Sequence, residues 1–376
     1  MSAVPQPGSP PGVAAPRGGA ASARHRPSAS PKHRLAPATT LALGGVLVVL
    51  AFIAGSASGA YPIAPSDLLQ MLTGAGGAPG AGSTPAQLVF LNIRLPRLLL
   101  AMAAGAGLAL AGALMQGLFR NPLADPGLIG ISSGAALAAG GAIVLGQQWF
   151  PALPHALGSW TLMLSAFIGG TAVTLLIYLF AQGVGGTHIG LMLLAGVAVN
   201  ALAGAGLGYL NFVATDEQLR NIQFWLLGSL GGARWSAVAL VWALVGAACA
   251  AALACARPLN AMALGEAQAA LLGVPVERTK RAVVVIAALA VGAVTATTGI
   301  IGFVGLIAPH WVRLIAGPDH RVVLPGAALL GAALVLAADA VARTVVQPAE
   351  LPLGVLTAFI GGPMFLWMLR RFRSRV

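Results

Sequence analysis

The sequence is short of charge. Asp, Glu, Lys and Arg make up 8% of the 376 residues, whereas apolar side chains make up 58%. A soluble globular domain carries about a quarter charged residues, so this chain could not cover a water-facing surface of ordinary polarity. The apolar residues instead form blocks of about 20 residues, rich in Gly and Ala, which suit helices that cross and pack within a bilayer. The sequence therefore predicts an all-α integral membrane protein.

Motifs for nucleotide hydrolysis and metal-dependent catalysis are also missing. The only lysines are Lys32 and Lys280, and no phosphate-binding Gly-x-x-x-x-Gly-Lys-Ser/Thr or His-Glu-x-x-His motif occurs. The two cysteines, Cys249 and Cys255, match no zinc signature and are interpreted as packing residues. We therefore expect no enzyme activity, no metal site and no permanently bound cofactor in this chain. Energy for active transport would have to come from another chain.

The net charge of +12 does not indicate nucleic-acid binding, because the basic residues lie at the wrong places for it. They cluster at the ends of the apolar blocks and at the termini, as the positive-inside rule predicts for membrane proteins. If both termini are cytoplasmic, only five of the 21 Lys and Arg residues fall on the outer side, namely Arg94, Arg97, Arg220, Arg234 and Arg343.

The chain divides into a tail and a membrane domain. Residues 1–40 are rich in Pro, Ala, Ser and Arg and lack an apolar period, which predicts a disordered cytoplasmic tail. Residues 41–376 hold ten apolar blocks, and the first is interpreted as a retained helix rather than a cleaved signal peptide. The predicted transmembrane helices are 41–60, 98–118, 127–147, 160–181, 191–213, 235–256, 282–298, 300–316, 322–342 and 351–369.

A short sequence echo is compatible with an inverted repeat. Gly127-Leu-Ile-Gly-Ile131 recurs as Gly299-Ile-Ile-Gly-Phe303. The two copies begin the third and eighth predicted helices, which run in opposite directions, as in transporters built from inverted repeats. Chance recurrence in a Gly-rich chain explains so short a match equally well.

The longest predicted cytoplasmic loop, residues 257–280, contains an amphipathic segment that Gly273 and Pro275 end. Such a stripe needs a surface to cover it, and the pattern leaves open whether this is another protein or the lipid interface. The residues on the stripe are Leu264, Ala267, Leu271 and Leu272.

Several strings resemble one transporter family. The run Gly265-Glu266-x-x-Ala269-x-x-Leu272-Gly273 is similar to the coupling segment of the iron–siderophore, haem and cobalamin ABC permease family. The similarity continues in family order from Arg94 to Arg371 and leaves the tail outside. The other similar strings begin at Arg94 (RLPR), Gly112 (GALMQ), Arg120 (RNPLADPG), Gly302 (GFVGLIAPH), Asp319 (DHR) and Glu350 (ELPLG).

The resemblance implies a ten-helix subunit of the bacterial inner membrane that forms a homodimer around a central pathway. Each copy would hold an ATP-binding cassette subunit, which binds ATP and Mg²⁺, and a periplasmic binding protein would deliver the substrate. The implied coupling residues are Gly265, Glu266, Ala269, Leu271, Leu272 and Gly273. The implied inner gate lies in the glycine-rich turn 183–190 and comprises Thr187, His188, Ile189 and Gly190.

Three arginines on the predicted outer side, Arg94, Arg97 and Arg343, are candidates for docking the binding protein. Positive charge is disfavoured on that side, so acidic residues of a partner should compensate it. In the family, arginines at matching positions face acidic lobes of the binding protein. The alternative is that these side chains reach lipid headgroups.

The substrate is predicted from a narrower resemblance. Residues 221–232 and 348–354 resemble the haem-type branch, which implies transport of haem from periplasm to cytoplasm; a ferric siderophore or cobalamin is the alternative within the same class. The candidate pathway residues are Arg220, Gln116 and His310, although a structural arginine and a helix-packing histidine are also consistent with the sequence. An ion-driven secondary transporter would need carboxylates in mid-membrane, whereas Asp339 and Glu350 flank an outer loop.

Overall fold

The computed structural model describes residues 34–59, 61, 63, 66, 84–149, 157–346 and 349–373. Most of the predicted tail and the loop between the first two spans lie outside the described residues. The first helix begins at Pro37, four residues before the predicted start of the membrane domain.

The first half of the described chain forms α1 (Pro37–Ala57), α2 (Pro85–Val89), α3 (Leu95–Leu118), α4 (Ile131–Val144), α5 (Gly146–Trp149), α6 (Trp160–Phe180) and α7 (Ile189–Val213). A π-helical turn, Phe90–Arg94, joins α2 to α3, and a 3-10 turn, Pro126–Ile129, precedes α4. Between α6 and α7, β1 (Gln182–Gly183) and β2 (Gly186–Thr187) form an antiparallel hairpin. The second half forms α8 (Asp216–Leu227), α9 (Trp235–Met262), α10 (Glu266–Leu271), α11 (Val276–Thr298), α12 (Val304–Ala316), α13 (His320–Ala342) and α14 (Leu353–Arg373).

A helix lies at each of the ten predicted spans, but two of these helices are short. Among the described residues, eight helices are long and apolar enough to cross a membrane, with α2 and α3 counted as one. The third and eighth predicted spans are α4, with 14 residues, and α12, with 13 residues. At 1.5 Å per residue each extends about 20 Å, less than the ~30 Å of bilayer hydrocarbon.

Contacts between helix ends show that α1 runs in the opposite direction to α3 and to α12. At one end, the Leu35 amide donates to the Ile315 carbonyl at 3.1 Å, joining the start of α1 to the end of α12. At the other end, the Arg94 Nη1 donates to the Ser56 carbonyl at 2.7 Å, joining the end of α1 to the start of α3. We call the first the inner end and the second the outer end. The described parts of the predicted cytoplasmic loops share the inner end; its orientation towards the cytoplasm stays a prediction from the arginine distribution.

The two short helices begin in the same way. Gly130, with φ of 80°, immediately precedes α4, and Phe303, with φ of 66°, immediately precedes α12. The uncharged stretch predicted to break near Thr295–Gly299 does break there, because α11 ends at Thr298 and Gly299 has φ of 72°. The sequence echo therefore marks two similar helix starts on oppositely directed segments.

Helix α3 is the centre of the fold. Of its 24 residues, 20 are buried, and it packs against α9, α11, α12 and α13. A methyl group at Gly112 would lie 1.9 Å from the Gly305 carbonyl oxygen, and one at Gly105 would lie 2.1 Å from that of Gly331. The small residues thus let helix backbones approach closely, as membrane helices require. By contrast, α1, α6, α7 and α14 present many exposed apolar side chains to lipid or to another protein.

Candidate functional site

The predicted coupling segment forms a separate short helix at the inner end. The chain leaves α9 at Met262, turns at Gly265, forms α10 and turns again at Gly273. Both glycines have positive φ, 118° and 81°, a backbone region that side chains with a Cβ seldom adopt. These two turns set α10 between two long spans.

One face of this segment is apolar and exposed. Leu264, Leu271 and Leu272 are 67%, 89% and 65% exposed, whereas Ala269 is completely buried against the body of the protein. The predicted stripe therefore has no cover within the described chain. A surface of this kind fits contact with another protein or with the lipid interface.

Glu266, at the start of α10, points inwards to Lys280. The two side chains form an ion pair with 2.6 Å between Glu266 Oε2 and Lys280 Nζ. The Lys280 ammonium, whose side chain is 3% exposed, also donates to Glu277 Oε1 at 2.9 Å and to the Thr187 carbonyl at 2.8 Å. These three acceptors satisfy all three donors of the ammonium group.

Glu277 binds the same threonine with its other oxygen. Its Oε2 accepts hydrogen bonds from the Thr187 amide at 2.9 Å and from the Thr187 hydroxyl at 2.7 Å. We call Thr187, Glu266, Glu277 and Lys280 the Lys280 network. Sequence reasoning missed Glu277 and Lys280, although a single lysine in the whole membrane domain, three residues after a glutamate, was a signal that could have indicated them.

The predicted inner gate lies on the hairpin joined to this network. Thr187 is 5% exposed and its side chain is turned into the protein, and its place in the gate stays a prediction. Its neighbours differ, because His188 and Gly190 are exposed and Ile189 is half-buried. A gate role for these three residues stays a prediction.

Another charged group at the inner end caps α13. Asp319 Oδ1 accepts from the Arg321 amide at 2.9 Å and from Asn260 Nδ2 at 2.6 Å. These hydrogen bonds, the one from Arg321 first, lower the pKa of the Asp319 carboxyl because they favour its charged form. The string Asp319-His-Arg321 therefore ties the start of α13 to the end of α9.

The three arginines predicted to dock a binding protein are buried at the outer end. Arg94, Arg97 and Arg343 are 4%, 8% and 7% exposed. Arg97 binds Asp339 at 2.9 Å and Glu350 at 2.8 Å, and Arg343 binds Asp339 at 3.0 Å. The carboxylates that compensate the charges of Arg97 and Arg343 therefore come from this chain.

Backbone carbonyls at the end of α1 bind the remaining guanidinium nitrogens. Arg94 donates to Ser56 and Tyr61, and Arg343 donates to Gly55 at 3.0 Å and Ser58 at 2.8 Å. Within the chain these arginines hold the ends of α1, α3 and α13 together, and their contact with a binding protein stays a prediction. The spacing of Asp339 and Arg343, four residues on one helix, was the available sequence signal.

The three candidate pathway residues lie in two environments. Gln116, 3% exposed, donates to the Gly305 carbonyl at 3.2 Å and accepts from Arg313, which places it in the packing of α3 against α12. His310, 8% exposed, is buried in α12. Both side chains lie in helix packing, as the alternative for the histidine predicts, whereas Arg220 is exposed on α8 at the outer end. A pathway role for all three stays a prediction.

Family-like strings that are distant in sequence meet beside α8. A methyl group at Gly354 would lie 2.5 Å from the Leu227 carbonyl oxygen and 2.7 Å from that of Ile300. Gly228, with φ of 67°, accepts a hydrogen bond from the Leu353 amide at 3.0 Å. The end of α8, the α11–α12 break and the start of α14 therefore form one close backbone contact.

Among the residues that the structure describes, no group of three or more His, Cys, Asp or Glu side chains is placed to hold a metal ion. The described site consists of an exposed apolar face, an ionic network around a buried lysine and a hairpin. This arrangement can bind a partner and transmit movement.

Comparison with known proteins agrees with this description. The FecCD transport family matches residues 46–371. The chain is 44% identical over 287 residues to the hemin transport system permease protein HmuU of Yersinia pestis, covering 76% of this chain and 84% of that protein. It is 40% identical over 330 residues to the vitamin B12 import system permease protein BtuC of Salmonella schwarzengrund, covering 86% and 92%. A solved structure described as a metal-chelate type ABC transporter in an inward-facing conformation has a TM-score of 0.77 at 30% identity, covering 89% of this chain and 99% of that one. The chain belongs to the FecCD transport family and is a multi-pass permease of the ABC importer class.

Proposed function

We propose that this chain is the permease subunit of an ATP-driven importer that moves haem across the bacterial inner membrane into the cytoplasm. The observation that carries the proposal is the exposed Leu264, Leu271 and Leu272 face on a helix whose opposite side is bound to the transmembrane core. Such a face needs a partner, and an ATP-binding cassette subunit that carries ATP and Mg²⁺ is the partner that fits an importer permease.

The functional unit is proposed to be a homodimer with two ATPase subunits. Helices α7 and α14 expose large apolar side chains, among them Leu194, Val197, Phe359 and Leu366. A second copy packed on part of this surface would leave a pathway between the copies. His188, Ile189 and Gly190 at the start of α7 would then close the inner end of that pathway.

A periplasmic binding protein is proposed to dock on the outer end. The buried Arg97–Asp339–Arg343 cluster supports this surface indirectly, because it fixes the ends of three helices. Docking contacts themselves would come from exposed side chains of the outer loops.

Haem is favoured over cobalamin by two observations. The HmuU relative has the higher identity of the two named permeases, 44% against 40%. In addition, the exposed Arg220 on α8 could pair with a haem propionate, since guanidinium groups bind carboxylates in a bidentate manner. Cobalamin offers no carboxylate of this kind.

The substrate is tested by the ATPase activity of the whole complex. The complex is purified from its own membrane through a tag on this chain, placed in nanodiscs and mixed with the binding protein loaded with hemin, cobalamin or a ferric siderophore. We expect hemin to stimulate ATP hydrolysis and Arg220→Ala to raise the hemin concentration needed. Arg234→Ala, an exposed arginine at the same end, is the matched control. Stimulation by cobalamin or the siderophore but not by hemin would overturn the substrate assignment.

A further inference from the structure

Lys280 connects three parts of the chain that are distant along the sequence. Its ammonium binds Glu266 of the coupling segment, Glu277 of α11 and the carbonyl of Thr187 in the hairpin, at 2.6, 2.9 and 2.8 Å. The Lys280 side chain is 3% exposed, whereas Glu266 and Glu277 are 36% and 43% exposed. The positively charged ammonium group is thus buried, and the two carboxylates that bind it are half-exposed.

Burial makes this connection stiff. A buried ammonium that loses a partner keeps its desolvation cost without the compensating attraction, so loss of one partner is strongly unfavourable. A displacement of Glu266 will therefore carry Lys280 with it rather than break the pair.

The hairpin is held by the same group of residues. Glu277 binds both the amide and the hydroxyl of Thr187. The backbone of Gly186, with φ of 118°, lies so close that a methyl group there would be 2.5 Å from Glu277 Oε1. Because His188 is the N-cap of α7, Thr187 directly precedes that helix. Movement of the Lys280 network therefore moves the start of α7.

We infer that Lys280 is the positioning residue through which a partner bound to α10 moves the hairpin and the start of α7. The inference rests on the proposed function, since it requires an ATPase docked on the leucine face. Lys280 contacts neither the substrate nor the nucleotide; it makes the coupling segment and the gate region one mechanical unit, of the kind used in two-state switching.

This coupling can be measured directly with a label at the tip of the hairpin. Val184 is fully exposed, so a spin label at Val184→Cys in each copy reports the distance between the two hairpins. The label is placed in a Cys249→Ala, Cys255→Ala background, and the whole complex is studied in nanodiscs without nucleotide and with ATP and vanadate. We expect a nucleotide-dependent distance change when Lys280 is present. With Lys280→Met we expect that distance change to be lost. We also expect the rate of ATP hydrolysis with loaded binding protein to fall to the rate without it.

The amount of bound ATPase subunit separates a coupling role from a folding role. Lys280→Met should retain the ATPase subunit, because the leucine face is unchanged. Lys280→Arg, which keeps the charge, should restore part of the distance change. Arg278→Met, which removes an exposed cation two residues earlier, is the matched control and should behave like the parent.

Two outcomes would overturn the inference. One is a full distance change in Lys280→Met with the ATPase subunit bound. If Lys280→Met does not fold, Glu266→Gln keeps the buried lysine and its other two partners, and a full distance change in that variant would be the second. A parent complex that binds no ATPase subunit, or shows no distance change, would instead contradict the proposed function itself.

Discussion

At the scale of single residues, the protein has a buried ionic centre at each end. At the outer end, Asp339 is completely buried between Arg97 and Arg343. At the inner end, Lys280 is buried between Glu266 and Glu277. A charge in such a place persists only with opposite charges beside it. The pairing of Asp339 also disfavours an ion-driven transporter, since a proton or sodium site needs a carboxylate that is available for the ion.

Neutralising Asp339 should destabilise the fold. Asp339→Asn leaves two buried guanidinium groups without their shared carboxylate, and breaking a buried pair costs about 3–5 kcal/mol. The Glu350 side chain is 47% exposed, so Glu350→Gln should cost no more than about 1 kcal/mol. Thermal unfolding in detergent would show a large fall in Tm for the first variant and a small one for the second. Equal shifts would mean that burial of the cluster does not determine its contribution.

The same cluster changes how arginine variants should be interpreted. Replacing Arg94 and Arg97 by Glu would place negative charges beside Asp339 and the carbonyls of α1. Loss of binding-protein affinity in such a variant would report a damaged outer end and not a missing docking contact.

At the scale of elements, α10 has one side bound to the protein body and one side exposed. Ala269 anchors it to the body, and Leu271 projects away from it. The proposed docking role explains why a helix of six residues exposes leucines while its Glu266 pairs with the buried Lys280.

A charge on the outward side of α10 should block assembly without harming the fold. Leu271 is 89% exposed, so Leu271→Asp costs the isolated permease little, whereas the new carboxylate would have to be desolvated on entering a partner's cleft. We expect the tagged variant to lose its ATPase subunit while its Tm is unchanged. Ala269→Asp, at a completely buried position, is the contrasting variant and should lower the Tm. Retention of the ATPase subunit by Leu271→Asp would show that docking lies elsewhere.

At the scale of the whole molecule, local pattern was enough to place most helices. The span predicted at 160–181 is Trp160–Phe180, and the one predicted at 191–213 is Ile189–Val213, because an apolar block of about 20 residues has few alternatives in a bilayer. The shortening of α12 was missed, since it follows from the backbone path through Gly299–Phe303.

Local sequence patterns could not predict the tertiary contacts of charged residues. Arg97 and Asp339 are 242 residues apart in sequence, and Thr187 and Lys280 are 93 apart. Reasoning from topology alone assigned the outer arginines to a partner, because it could not show that the chain brings its own carboxylates to them.

The most direct test of the account is hemin uptake into vesicles. Proteoliposomes would hold the complete complex, with ATP enclosed on the side of the ATPase subunits and with hemin and the binding protein outside. We expect hemin to accumulate inside only when ATP is enclosed and hydrolysed, and we expect no accumulation from a proton or sodium gradient without ATP. Uptake driven by such a gradient in the absence of ATP, or no uptake of hemin with ATP enclosed, would contradict it.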